Sequence, residues 1–195
     1  LVARMFGADP LLESQVAVGL ILWYWLSTLF WEVGHGAREE MEEGILESLL
    51  ATPASLLSLL AAKAVATLLL NVYITAGIVG WFHMFGVRLA WPWPRFLAIA
   101  FLCGFALSGF LLAYAGVVLL VKRAENLGSS LQTILGALAG MTVDPRLFPK
   151  GVWVLSQMIP LTYGIEAARR LLRGEMVGKQ LVWLVILSVA YGLAG

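Results

Sequence analysis

The side chains that could do chemistry are crowded into one stretch, Arg38 to Ser55, which reads REEMEEGILESLLATPAS. It is the only strongly acidic segment in a chain that is otherwise almost entirely apolar. Carboxylates gathered on one helix face can pass protons, hold a metal or present a charged docking surface, and their neighbours decide which. Helical spacing places Glu40, Glu43 and Glu47 on one face and Met41, Ile45 and Leu49 on the other. No metal set joins them. His35 and His83 lie far apart in sequence and read as interface residues, and the sole cysteine, Cys103, sits inside an apolar run. A phosphate-binding glycine loop followed by Lys-Ser/Thr is also missing, so ATP is not bound here by that motif. No catalytic residue, metal or cofactor is expected. The stretch reads instead as an amphipathic helix with a charged outer side, stopped at Thr52 and Pro53. Threonine there can cap a new helix, and proline at its first position forfeits no hydrogen bond.

The elements that position this stretch belong in lipid. Hydrophobic residues make up 61% of the chain and charged ones 13%, against about a quarter charged in soluble domains. Mean hydropathy is +0.88. A single domain of 195 residues has room for about five or six spans at roughly 20 residues each. The net charge of +1, with no basic cluster interleaved with aromatics, gives no sign of a nucleic-acid partner. Leu1 to Leu12 lacks the basic-then-apolar order of a signal peptide. The chain begins at Leu and ends inside an apolar run, so both ends are expected to be trimmed, with a first span missing and the last incomplete.

Ser14 to Trp31 is the first charge-free run, bounded by Glu13 and Glu32. Trp23, Tyr24 and Trp25 read as packing residues, and Trp31 fits an interface boundary. Pro53 opens a long helix reaching about Phe85, with Lys63 placed to snorkel back to the headgroups. Asn71 and Thr75 share a face that must meet another helix, because an unpaired amide facing lipid is expensive. Gly86 to Arg95 reads as a loop pinned by Trp91-Pro92-Trp93-Pro94, and Phe96 to Val121 as the clearest span. Ala100, Gly104 and Ser108 form a small-residue stripe there. Leu127 to Val143 is richer in small and polar residues. Ser129, Ser130, Gln132 and Thr133 either line a path through the membrane or serve tight helix packing. Val152 to Ile165 is too short to cross and contains Pro160, so it reads as a re-entrant or interfacial hairpin. The last apolar run starts at Gln180.

Two blocks resemble a known family. Gly44-Ile45-Leu46-Glu47, then Thr52-Pro53 and Lys63, is similar to the "G-T-L-E … T-P … K" block of ATP-binding-cassette (ABC) export permeases of the type 2 class, with Ile45 in place of the usual threonine. Pro160-Leu161-Thr162-Tyr163, then Glu166, Arg169 and Arg170, resembles the "P-L-T-Y … E-A-x-R" segment before the last span of those permeases. The resemblance implies an all-α polytopic bundle, a single permease domain with about five spans visible of six. Glu40, Glu43, Gly44, Glu47, Thr52 and Pro53 would then form a cytoplasmic coupling helix, and Pro160, Thr162, Tyr163, Glu166, Arg169 and Arg170 an outer re-entrant segment. It implies a multi-pass protein of the cell membrane, not itself an enzyme. Its partners would be a separate ABC ATPase subunit, a second permease subunit (identical or not) and membrane lipid. The cargo would be a drug, lipid or polysaccharide-like compound. A membrane assembly or scaffold protein, using the acidic helix as a binding site, is the alternative reading. With the acidic helix inside, Lys and Arg divide four inside to nine outside, the reverse of the positive-inside rule.

Overall fold

Within a bilayer a helix satisfies its own backbone, and this chain uses little else. The computed structural model describes residues 10–35, 44, 56–84, 91–120, 125–141 and 145–194. In chain order these form α1 (Pro10–Leu29), a π-helical continuation (Phe30–His35), α2 (Leu56–Met84), α3 (Trp93–Leu120) and α4 (Glu125–Leu138). A 3-10 turn at Pro145–Leu147 leads to α5 (Lys150–Gln157), α6 (Pro160–Leu172) and α7 (Gly178–Ala194). No strand occurs among the described residues. Three segments are long and apolar enough to cross a membrane: Ser14–Val33, Ser58–Trp81 and Trp93–Gly116. The apolar part of α7, Gly178–Leu193, is shorter. The fold is an all-α membrane bundle.

Its packing inverts the rule for soluble helices. On α2 the lipid-facing side shows Val65, Leu69, Leu70 and Tyr73, while Thr67, Asn71 and Thr75 are buried. Lipid is as apolar as leucine, so close approach and hydrogen bonds, rather than hydrophobic burial, select the inner face. Trp25 Nε1 donates to Thr75 Oγ1 at 3.0 Å, and Asn71 Nδ2 donates to Thr28 Oγ1 at 2.8 Å. The expectation that Asn71 and Thr75 face a neighbouring helix is met by α1. The stripe on α3 works by shape. A Cβ at Gly104 would collide with Leu68 of α2 and stand 3.2 Å from the Trp25 ring. Trp25 itself is 1% exposed, which makes it a packing residue.

These pairings fix the directions of the helices. Trp25 meets Thr75 and Thr28 meets Asn71, so α1 and α2 are antiparallel. Gln132 Nε2 donates to Ser27 Oγ, and Trp23 fills the space over Gly136, so α4 is also antiparallel to α1. Trp25 packs on Gly104 while Phe30 stacks on Tyr114 at 5.0 Å, so α1 and α3 run together. The starts of α1 and α3 therefore lie at one end of the bundle, and the start of α2 at the other. The last described residue before the acidic stretch, His35, and the first of α2 after it, Leu56, both lie at that second end.

One boundary differs from expectation. The loop expected over Gly86 to Arg95 ends by Pro92, and Trp93, Pro94 and Arg95 already belong to α3. Proline in a first turn has no hydrogen bond to lose, so Pro94 opens the helix rather than prolonging the loop. Trp91 is buried and stacked on Trp93 at 4.8 Å.

Comparing Trp25→Phe, Thr75→Val and the double variant isolates their hydrogen bond. By reversible unfolding in detergent, the coupling should be about 0.6 kcal/mol and below about 1.7 kcal/mol, the range for such bonds in membranes. Zero coupling would show that the bond is not made.

Candidate functional site

A backbone that turns inside a membrane must satisfy its polar groups without water, and the chain around Pro160 is arranged to do so. Here α5 ends, Met158 and Ile159 turn, and α6 begins with Pro160 at its first position, where the missing N–H costs nothing. Met158 N–H donates to Leu155 O and Ile159 N–H to Ser156 O. Thr162 Oγ1 donates to Ser156 O at 2.6 Å, and Tyr191 of α7 donates its hydroxyl to Met158 O at 2.8 Å. Cys103 of α3 lies with its Sγ 3.8 Å from Pro160 O.

Those partners give the depth of the turn. At 1.5 Å per residue, Cys103 stands about 15 Å along α3 from Trp93, and Tyr191 about 20 Å along α7 from Gly178. The hairpin meets α7 at Met158–Tyr191, Tyr163–Trp183 and Glu166–Gln180, so α7 is antiparallel to α6; α6 is also antiparallel to α1, so α7 runs parallel to α1 and α3 and starts at the same end. The hairpin tip thus lies about 15–20 Å from the end of the bundle where α3 and α7 begin. From the tip, α6 rises about 20 Å back toward that end, antiparallel to α1: Gly164 faces Leu22 and Arg169 faces Gly19. Val152 to Ile165, expected to be a re-entrant or interfacial hairpin, is divided into two helices by the turn at residues 158–159.

Helix α6 is wedged between α1, α3 and α7, with Leu161, Ile165, Ala167 and Ala168 fully enclosed. Gly164 makes this approach tolerable. A Cβ there would collide with Cys103 Sγ, so the helix backbone rests directly on α3. Gly164 lies inside the Pro160–Arg170 block, yet its role was not legible there; a steric minimum shows only once the opposing helix is known.

The expected outer residues come together. Pro160 is buried at the tip, Thr162 staples it, and Tyr163 stacks on Trp183 with ring centroids 6.1 Å apart. Glu166 accepts from Arg170 at 2.9 Å and from Gln180 Nε2 at 3.3 Å, while Arg169 donates to the Met141 carbonyl at 3.2 Å. All of them but Pro160 line a cleft of about 930 Å³ that opens at the end of the bundle where α1, α3 and α7 begin. Sequence reasoning missed other lining residues: Gln15, Trp153, Lys179, Gln180 and Trp183. A polar Gln180 in the first turn of an apolar helix was the available signal.

The other expected groups fare differently. Gln132 is buried and bonded to Ser27 at 2.6 Å, which is helix packing. Ser130 and Thr133 are exposed on the surface of the chain, and the Ser129 side chain lies outside the described residues. Glu40, Glu43, Glu47, Thr52 and Pro53 also lie outside them. Gly44 is described, and it corrects one expectation. Its φ is +71°, a left-handed conformation, so a right-handed helix does not run unbroken through residues 38–50. Among the described residues there is no cluster of metal-ligating side chains.

Comparison with curated proteins finds no match, and neither does comparison with solved structures. The family model "ABC-2 type transporter" matches residues 36–172, from the start of the acidic stretch to the last turn of α6. With both blocks of the resemblance inside that span and an all-helical membrane bundle around them, the chain belongs to the ABC-2 type transporter family as a transmembrane component.

Proposed function

We propose that this chain is the permease half of an exporter in which two such subunits pair and dock two separate ATPase subunits. The carrying observation is the family match together with the two-ended layout. The acidic connection 36–55 joins α1 to α2 at one end, and the re-entrant hairpin and its cleft open toward the other. In this reading the acidic end faces the cytoplasm and its glutamates face the ATPase. ATP binding shifts the helices between inward- and outward-open states. In this reading Ser14–Val33, Ser58–Trp81 and Trp93–Gly116 cross the membrane, with α4 and α7 packed beside them. The cargo is a drug, lipid or polysaccharide-like molecule moved outward. The exposed Ser130 and Thr133 of α4 supply polar surface that a path would need.

Orientation is tested by single cysteines in a Cys103→Ala background probed with a membrane-impermeant thiol reagent. Position 88 should label from outside intact cells and position 43 only after lysis. Positions 150 and 173, at the two ends of the hairpin, should label from the same side. Labelling of position 43 from outside reverses the orientation and removes the coupling role.

Coupling is tested at the acidic stretch. An exposed ion pair contributes about 0–1 kcal/mol, so one Glu→Gln change should have little effect. Changing Glu40, Glu43 and Glu47 together to Lys sets like charges against the partner surface and costs several kcal/mol. That variant should lose copurifying ATPase, more so at low salt. Gly44→Val should keep the ATPase but lose substrate-stimulated hydrolysis, because a β-branched residue resists φ near +71° by about 1–2 kcal/mol. Normal transport in both variants would leave the acidic stretch as a solvated loop. An intact bundle that never copurifies an ATPase would favour the scaffold reading.

A further inference from the structure

Helix α4 carries the exposed Ser130 and Thr133, and its last residues run to the cleft, where Ala139 and Met141 line the wall. The sequence ends this helix in a defined way. Gly140 has a φ of +87°, its N–H donates to Ala137 O at 3.2 Å, and the Met141 N–H donates to Gly136 O at 3.3 Å. Two such bonds around a left-handed glycine close a helix and turn the chain off its axis. They answer the carbonyls of residues 136 and 137. The Met141 carbonyl lies beyond the cap, and another element takes it.

That element is α6. Arg169 Nη2 donates to Met141 O at 3.2 Å, and Arg169 has a further interaction besides, so it is a bound group rather than a free charge of the cleft. A cation at the last carbonyls of a helix is also favoured by the helix dipole. The third side of the contact is α1. A Cβ at Gly19 would stand 3.2 Å from Met141 O, closer than ordinary packing, and 3.6 Å from Arg169 Nη2. The bare backbone of α1 is therefore the seat on which this bond rests. Elsewhere α4 packs on α1, at Ser27 and Trp23, and on α5. Arg169 adds a direct bond from the end of α4 to the second helix of the hairpin.

We propose that Arg169 is a positioning residue that fixes the cleft end of α4 to α6 over Gly19, so that a tilt of α4 pivots at this junction and is passed to the hairpin. The role in transport rests on the reading above, in which α4 supplies polar surface to the path. The junction itself does not depend on ATPase docking or on cargo. It is read in the chain alone, so it and the transporter reading fail separately.

The test is hydrogen exchange of the full chain in neutral detergent, resolved to single amides. The amides of Gly140 and Met141 report the end of α4, because their bonds to Ala137 O and Gly136 O must open for exchange. Arg169→Leu should speed both about tenfold, as expected when a hydrogen bond from a charged donor is lost. Gly19→Val leaves the arginine in place but presses on the Met141 carbonyl from α1, and should speed the same two amides by a similar factor. Arg169→Lys keeps a charged donor and should return them to within about threefold of the unaltered chain. The Leu181 amide, bonded to Val177 O at the same end of the bundle, serves as the control and should not change in any variant. Unchanged exchange at residues 140 and 141 in Arg169→Leu would overturn the proposal. Equal acceleration at Leu181 would do so too, since Arg169 would then support packing in general. If Arg169→Lys behaved as Arg169→Leu, the bond to Met141 would not be what positions α4, and an inert Gly19→Val would remove α1 from the junction.

Discussion

In the proposed reading the chain reverses direction at a depth where water is absent, and the rest of the hairpin answers that constraint. A turn at residues 158–159 leaves carbonyl and amide groups that would each cost several kcal/mol if bare in hydrocarbon. Every device near the tip addresses that cost. Pro160 deletes a donor, the Thr162 hydroxyl caps the end of α5, and Tyr191 reaches across from α7 to the Met158 carbonyl. The tip must also be enclosed by protein, so α6 is packed against three helices and Gly164 is pressed onto Cys103. Only then can the opposite end of α6 hold Arg169 and Arg170 at the surface.

The remaining contacts obey the same solvent logic. Burying leucine against leucine gains little when the alternative is lipid, so specificity falls to small residues and to paired polar ones. Gly104, Gly109 and Gly136 set how closely α2, α7 and α1 approach, and Trp25–Thr75 and Asn71–Thr28 set which faces meet. Helix α1 takes part in most of this. Its middle touches α6 at Gly19 near Arg169, its last two turns carry both polar pairs, and the π-helical continuation ends at His35, just before the acidic stretch in sequence.

What the sequence made legible follows from where its signals were unambiguous. Charge-free runs located α1, α2 and α3 to within a few residues, because a charge in hydrocarbon is costly enough to punctuate the pattern. Asn71 and Thr75 announced a helix contact for the same reason. Pro160 in a run too short to cross announced the hairpin. The cleft was less visible. Tyr163, Glu166, Arg169 and Arg170 came from the resemblance, but Trp153, Gln180 and Trp183 join them only through the turn of α5–α6 and the parallel return of α7. Nothing in their spacing encodes that. The glycine signals were ambiguous too: the Gly44 φ of +71° breaks a pattern that reads as a continuous amphipathic helix, since helical periodicity does not report backbone handedness.

The inverted Lys/Arg balance acquires a physical meaning from the hairpin. The positive-inside rule counts cations in short loops, which resist being carried across the membrane. Three of the nine cations on the cleft side in the proposed orientation, Arg169, Arg170 and Arg173, are on α6 or directly after it. Arg170 and Arg173 are paired with Glu166 and Glu175, and Arg169 is turned onto the end of α4. Charges held this way belong to a folded element that need not cross. They inform the chemistry of the cleft more than the direction of insertion. Without these three the imbalance shrinks to six against four but does not reverse.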